Sequence, residues 1–181
     1  MMIIGLAGKA MSGKDTVADC LVDNFGFIKL AFADGIADML RTGFDVPGRY
    51  QLQEKETPIP GIGHSWRRLM QTLGTEWGRS LDPYIWVKRM EQVILRFADH
   101  QDQIVISDVR FQNEADWIRQ QGTLWHISRP GFNNNTPDHS SEAGIEMQPG
   151  EPLIINDGGY NLLYCRVLSI FHAARTRETR L

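Results

Sequence analysis

The stretch from Gly8 to Thr16, GKAMSGKDT, limits what this chain can fold into more than any other. It has the form G-x-x-x-x-G-K and follows Met2 to Ala7, a short apolar run that stops at glycine as a buried parallel strand does. After it, Val17, Cys20, Leu21 and Phe25 recur at helical spacing, so Lys14 to Phe25 reads as a helix. A strand, a glycine-rich loop and a helix in that order make a cradle for phosphate. Gly8 and Gly13 let the backbone curl, so that N–H groups along Gly8, Ala10, Ser12, Gly13, Lys14, Asp15 and Thr16 turn toward phosphate oxygens. The helix N-terminus adds partial positive charge and Lys14 a full one. The hydroxyl residue usual after the lysine is replaced by Asp15, with Thr16 next. Asp15 is either an oxygen ligand for a divalent cation beside Thr16 or a first-turn acid that suits the helix dipole.

The remaining sequence alternates between the two periodicities. Phe27 to Phe32 reads as a second strand and Asp34 to Thr42 as a helix. Pro47 to His64, with three prolines and several glycines, reads as a long loop or insertion. Helices are expected from about Ser65 to Arg79 and again after Pro83, where Trp86, Val87, Met90, Val93, Ile94 and Phe97 share an apolar face. Gln103 to Ser107 reads as a strand ending in Asp108, about Asn113 to Gln121 as a helix, and Thr123 to Ser128 as a strand. Arg129 to Gln148 is polar and rich in breakers, as a lid is, before a last strand at Pro152 to Ile155 and a closing helix at Leu162 to Ala174. This alternation implies an α/β fold of three layers, a five-stranded parallel sheet with helices on both faces. The 181 residues suit a single domain over 1–181, with an insertion at about 43–80 and a lid at about 129–148.

Composition narrows the partners. A formal charge of −3 gives no whole-chain attraction to polymeric nucleic acid, although a local basic groove stays open if Arg67, Arg68, Arg110 and Arg129 converge in space. No apolar run approaches the ~20 residues that span a bilayer, and MMIIGLAGKA turns glycine-rich too soon for a signal peptide. The expected setting is cytoplasmic, with Cys20 and Cys165 as reduced packing residues. A homodimer is left open.

Ligands on a parallel sheet bind beyond the carboxyl ends of its strands, where the remaining candidates fall. Asp108 ends an apolar strand, the place for an acid that holds Mg²⁺ directly or through water; otherwise it is a helix cap. Arg110 either meets a transferring phosphate or pairs with Glu114. Arg129 opens the lid and can swing over a γ-phosphate. Asp34 either faces an acceptor or caps its helix. Arg67 and Arg68 open a helix on which Gln71 and Glu76 can either read a base or stay solvated. Among Trp66, Trp77 and Trp86 a stacking wall is open, though core packing is the commoner fate. Asn156 is either near a nucleotide base or capping a turn.

GKDT, FAD at 32–34, RRLMQTLGTEWGR at 67–79, SDVRFQNEADWI at 107–118, DHSSE at 138–142 and NDG at 156–158 follow one another in order. Over nearly the whole chain this resembles the deoxynucleoside monophosphate kinases of tailed phages and prophages. The resemblance implies a P-loop kinase fold with an acceptor-binding insertion, ATP and Mg²⁺ as cofactors, and a deoxynucleoside monophosphate as small-molecule acceptor. It implies that Arg67 holds the acceptor phosphate, that Ser141 and Glu142 form the lid's Ser-Glu pair, and that backbone near Asn156 wraps adenine. His139 reads as lid surface. The family pattern F-A-D-P, an apolar residue and lysine is broken here, because Gly35 and Ala37 stand where proline and lysine belong. Animal phosphomevalonate kinases are similar at greater distance, so another phosphorylated small molecule is the alternative acceptor. A nucleotide-binding module without turnover is the second alternative.

Overall fold

A computed structural model describes residues 1–100, 103–131 and 144–178. The strands are β1 (Met2–Ala7), β2 (Ile28–Leu30), β3 (Gln103–Val109), β4 (Thr123–Ser128) and β5 (Leu153–Ile155). The helices are α1 (Lys14–Phe25), α2 (Asp34–Phe44), α3 (Gly48–Leu52), α4 (Trp66–Gln71), α5 (Arg79–Leu81), α6 (Ile85–Ile94), α7 (Gln112–Gln121) and α8 (Tyr160–Glu178). The chain divides into two compact units, Met1–Ala31 with Phe97–Leu181, and Phe32–Arg96.

The first unit holds the sheet. Its order is β2-β3-β1-β4-β5 and every pair is parallel, as the alternation of strands and helices requires. Side chains alternate across β1. Ile4 and Leu6 point to one face and pack with Val17 and Leu21 of α1 and Leu163, Val167 and Phe171 of α8. On the other face α7 comes so close that a Cβ on Gly5 would lie 2.8 Å from an Ile118 methyl. The expected α/β layering, with helices on both faces, is borne out.

Local chemistry sets the boundaries. α1 stops at Gly26, left-handed at φ 70°, where the Gly26 and Phe27 N–H groups return to the Val22 and Leu21 carbonyls. Phe27 is thereby spent on the cap, and β2 starts one residue later than its apolar run suggests. β3 runs on past the expected end at Ser107. Gly5 pairs with Ile106 but Ala7 with Val109, so Ser107 and Asp108 together oppose Leu6. That is a β-bulge, and Asp108 sits inside it.

The second unit is helical. α4 passes into a π-helical stretch at Thr72–Gly78 before α5, where the sequence predicts one regular helix. Two glycines admit neighbours there: Ile36 lies against Gly74 and the Trp86 indole against Gly78, while Trp86 Nε1 donates to the Gly74 carbonyl at 2.8 Å. Trp66 and Trp86 are buried, and Trp77 is exposed. The segment from Pro47 to His64 is more ordered than its breakers suggest. It contains α3, buries Tyr50 and Ile59, and closes a turn through the Pro58–Ser65 bridge.

Candidate functional site

In the first unit, the loop from Gly8 to Lys14 leaves the carboxyl end of the central strand and runs into α1. Gly8 and Gly13 have φ of 150° and 106°, outside the range L side chains adopt comfortably. Neither has room for a side chain: a Cβ on Gly8 would lie 2.3 Å from the Ile127 carbonyl oxygen, and one on Gly13 would lie 2.5 Å from Asn156 Nδ2. Lys14 is buried, and its ammonium donates to the carbonyls of Gly8 at 2.6 Å and Lys9 at 2.9 Å. The buried Ser12 hydroxyl has no hydrogen-bond partner among the described residues. An orphaned donor, a buried ammonium and two glycines in a tight curl fit an anionic phosphate chain.

Asn156 follows β5 at the same end of the sheet. Its Nδ2 donates to the Ser12 carbonyl at 2.9 Å, and its own N–H donates to Ser128 at 2.7 Å. The side chain therefore braces the phosphate loop, and α8 begins only at Tyr160. Arg166 holds the next residue by donating to Asp157 Oδ1 at 2.6 Å, which lowers the Asp157 carboxyl.

Asp15 does not stand alone. Lys29 on β2 lies 3.1 Å from its carboxylate and 2.9 Å from that of Asp19. Burial alone would lower the Lys29 ammonium, but the hydrogen bonds to Asp19 and Asp15 outweigh it and hold the pKa above its ordinary value. Thr16 lies beside Asp15, partly buried in the first turn of α1. Among the described residues no three His, Cys, Asp or Glu side chains gather as a metal cluster. A divalent ion here would need phosphate oxygens to complete its shell.

Asp108 and Arg110 lie at the end of β3, and Arg129 follows β4 directly. Glu114 lies in the first turn of α7. It is buried, and its Oε2 accepts the N–H groups of Arg110 at 2.9 Å and Phe111 at 3.1 Å, closing the start of α7. Asp108 lies five residues upstream of Asn113, and the residue in the capping position of α7 is Phe111. Glu142, Ser141 and His139 fall outside the described residues.

In the second unit, Asp34 is the first residue of α2 and exposed, while Ala33 occupies the capping position without a side-chain bond. Its carboxylate is thus a first-turn acid, not a cap. Arg67 is part-buried with Nε against Glu56 Oε1, and its N–H donates to the Lys55 carbonyl at 2.9 Å. Arg68 pairs with Glu76 at 2.8 Å, so Glu76 is engaged by a neighbouring helix turn. Gln71 ends α4 partly buried. Reading the sequence missed Lys29, because its pairing with Asp15 joins a strand to a helix with no periodic signal between them.

A family profile of deoxynucleotide monophosphate kinases matches residues 51–167. The chain belongs to that family. A protein of Acanthamoeba polyphaga mimivirus provisionally named deoxynucleotide monophosphate kinase is 32% identical over 185 residues, covering 93% of this chain and 95% of its own. The deoxynucleotide monophosphate kinase of Enterobacteria phage T4 is 27% identical over 235 residues, covering 92% and 97%. Among solved structures, dephospho-CoA kinase from Campylobacter jejuni superimposes with a TM-score of 0.52 at 14% identity, covering 97% and 98%. That likeness shows the fold, that of P-loop kinases.

Proposed function

We propose that this protein transfers a phosphoryl group from ATP to a deoxynucleoside monophosphate, giving ADP and the deoxynucleoside diphosphate. Family membership supports the acceptor class, and the observation that carries the reading is the phosphate loop: two glycines with no room for side chains, an orphaned Ser12 hydroxyl and a buried Lys14. ATP, when bound, supplies the phosphoryl group, with Mg²⁺ offsetting its charge. A phosphate acceptor is already anionic, so no general base is required and the protein's task is positioning and charge neutralisation.

Lys14 exchanges two loop carbonyls for phosphate oxygens. Thr16 and the bulge-held Asp108 are the groups we assign to Mg²⁺, and Asp15, engaged by Lys29, is a further oxygen donor within the same turn. Arg110 and Arg129 neutralise charge on the transferring group. Asp34, Arg67, Arg68 and Gln71, in the second unit, are assigned to the acceptor, and Glu142 to the lid. Asn156 fixes the loop that holds the nucleotide. We place the enzyme in the cytoplasm, acting on small molecules without membrane or polymeric nucleic acid; among the described residues no helix is long and apolar enough to cross a membrane.

The test is a coupled ADP-release assay across dGMP, dTMP, dCMP, dAMP and phosphomevalonate, with Lys14→Ala as control. Turnover of at least one deoxynucleoside monophosphate is expected, with a loss of at least roughly 10²-fold in Lys14→Ala, as for deletion of one transition-state donor. Turnover confined to phosphomevalonate would keep the chemistry and change the acceptor. ATP binding without turnover of any acceptor would leave a nucleotide-binding module.

A further inference from the structure

Gly35 occupies the first turn of α2, and no positive φ explains a glycine there. Alanine is favoured over glycine in helices by about 1 kcal/mol, so a helical glycine with ordinary backbone needs another reason. The reason is Arg89. A Cβ on Gly35 would lie 2.0 Å from Arg89 Nε, 2.5 Å from Cδ and 2.6 Å from Cζ. The guanidinium of α6 is laid on the bare backbone of α2, in the space a side chain would fill.

Arg89 has one distant ion-pair contact there among the described residues. Its side chain is only 32% exposed, and its ion-pair partner among the described residues is Asp38, at 4.0 Å. Arg41 takes the other oxygen of the same carboxylate, its Nη1 donating to Asp38 Oδ1 at 2.9 Å, while Arg89 faces Oδ2. Four other arginines of this unit have partners closer than 4.0 Å. Arg67 lies against Glu56, Arg68 against Glu76, Arg41 against Asp38 and Gln51, and Arg79 donates to the Pro83 carbonyl at 3.0 Å. Lys55 and Arg96 are exposed and keep their hydration. An arginine side chain two-thirds withdrawn from water, with one distant carboxylate partner among the described residues, gains from an anion that completes its hydrogen bonds. Its planar fork matches two oxygens of a phosphate.

We propose that Arg89 is an acceptor-phosphate ligand, and that Gly35 is glycine because Arg89 must lie across it to present its fork. The inference rests on the proposed phosphorylation of a phosphate-bearing acceptor and names a residue of that acceptor's site. It gives the absence of a side chain at position 35 a positive role.

The test is a double-mutant cycle on the full chain: wild type, Arg89→Ala, Gly35→Ala and the double variant, with Arg89→Lys alongside. Michaelis constants for the monophosphate and for ATP, calorimetric binding of the monophosphate without ATP, and melting temperatures are read for each. Arg89→Ala is expected to raise the acceptor constant and the acceptor Kd about tenfold or more, the loss of one bidentate charge-assisted pair, with the ATP constant unmoved. Gly35→Ala is expected to raise the acceptor values several-fold while leaving the melting temperature equal or higher. In the double variant it adds nothing further. Arg89→Lys falls between wild type and Arg89→Ala. Unchanged acceptor values in Arg89→Ala, or a full additional effect of Gly35→Ala in its absence, would overturn the assignment. If the wild type turns over phosphomevalonate instead, the same constants are read on that acceptor, so the two readings fail separately.

Discussion

Asn156 donates its amide to the Ser12 carbonyl at 2.9 Å and stands 2.5 Å from where a Gly13 Cβ would be, so one side chain both braces the phosphate loop and fixes the identity of its glycine. The residue before β5's helix and the residue at the heart of the loop are 144 positions apart, and the contact is what shapes the loop from behind. Asn156→Ala removes the brace and leaves Gly13 free to flex. A rise in the ATP Kd of roughly 5- to 10-fold is expected from the loss of one buried hydrogen bond of about 1 kcal/mol plus loop ordering. Calorimetric titration with a non-hydrolysable ATP analogue measures it. An unchanged Kd would mean that the loop holds its shape without Asn156.

Asp15 and Lys29 make a second testable pair. Lys29 shares itself between Asp15 and Asp19, and Asp15 is exposed, so the pair alone is worth little to stability. Its effect is electrostatic, because an uncompensated carboxylate one residue past Lys14 repels a polyphosphate. Lys29→Met should therefore raise the ATP Michaelis constant several-fold at low salt, and Asp15→Ser should restore it in the double variant. Asp15→Ser alone should shift the Mg²⁺ concentration giving half-maximal rate if Asp15 ligates the ion. A flat Mg²⁺ curve with activity retained leaves Asp15 as Lys29's partner and nothing more.

Arg67 yields a prediction about which ligand it serves. Its buried Nε lies against Glu56 Oε1 without a well-formed hydrogen bond, so an acceptor phosphate must share or displace that carboxylate. Arg67→Lys removes the fork that matches two phosphate oxygens and should raise the monophosphate constant several-fold with the ATP constant unmoved. Glu56→Gln, which frees the fork, should lower the monophosphate constant. A selective rise in the ATP constant after Arg67→Lys would assign the residue to the nucleotide instead.

What could be read from the sequence follows from what is local. The phosphate loop, the strands and the apolar face of α6 each advertise themselves through glycine placement or periodicity within a dozen residues. The apolar run ending at Asp108 marks its strand, but the bulge that holds it arises from the pairing of β3 with β1, and no pattern within β3 reveals it. The π-helical stretch depends on Ile36 and Trp86 reaching two glycines from other helices. Asp34 carries a capping residue type, yet Ala33 takes that position because the helix begins one residue earlier than a capping aspartate would start it. Lys29, Arg89 and Glu151 matter through partners distant in sequence, and a chain read in one dimension gives them no signal.

Glu151 supplies the prediction for pH. It lies just before β5 and is 11% exposed, with Arg119 of α7 at 2.7 Å and His126 of β4 at 2.8 Å. A carboxylate only accepts, so His126 must donate through Nε2–H, and the Gln148 N–H donates as well at 2.7 Å. Arg119 also reaches the Glu146 carbonyl at 2.8 Å, so the cluster fastens the chain from Glu146 to Glu151 onto α7 and the sheet. Burial by itself would push the Glu151 carboxyl up. The hydrogen bonds from Arg119, Gln148 and His126 prevail and hold it down to about 2, against an ordinary 4.5. Since the folded value is the lower one, the unfolded chain binds the proton more readily, and the stabilisation is complete above pH 4.5 and lost as pH falls from there toward 2. Glu151→Gln keeps the shape but loses the charge. It should cost on the order of 2–3 kcal/mol at neutral pH, the range for hydrogen bonds to a charged group. The melting temperature should fall by roughly 5–10 °C for a chain of this size. Most tellingly, the gap between wild type and Glu151→Gln should narrow steadily as the pH of the melting experiment is lowered from 5 toward 3. A gap that stays constant over that interval would show that Glu151 stabilises the protein by packing and not by its charge.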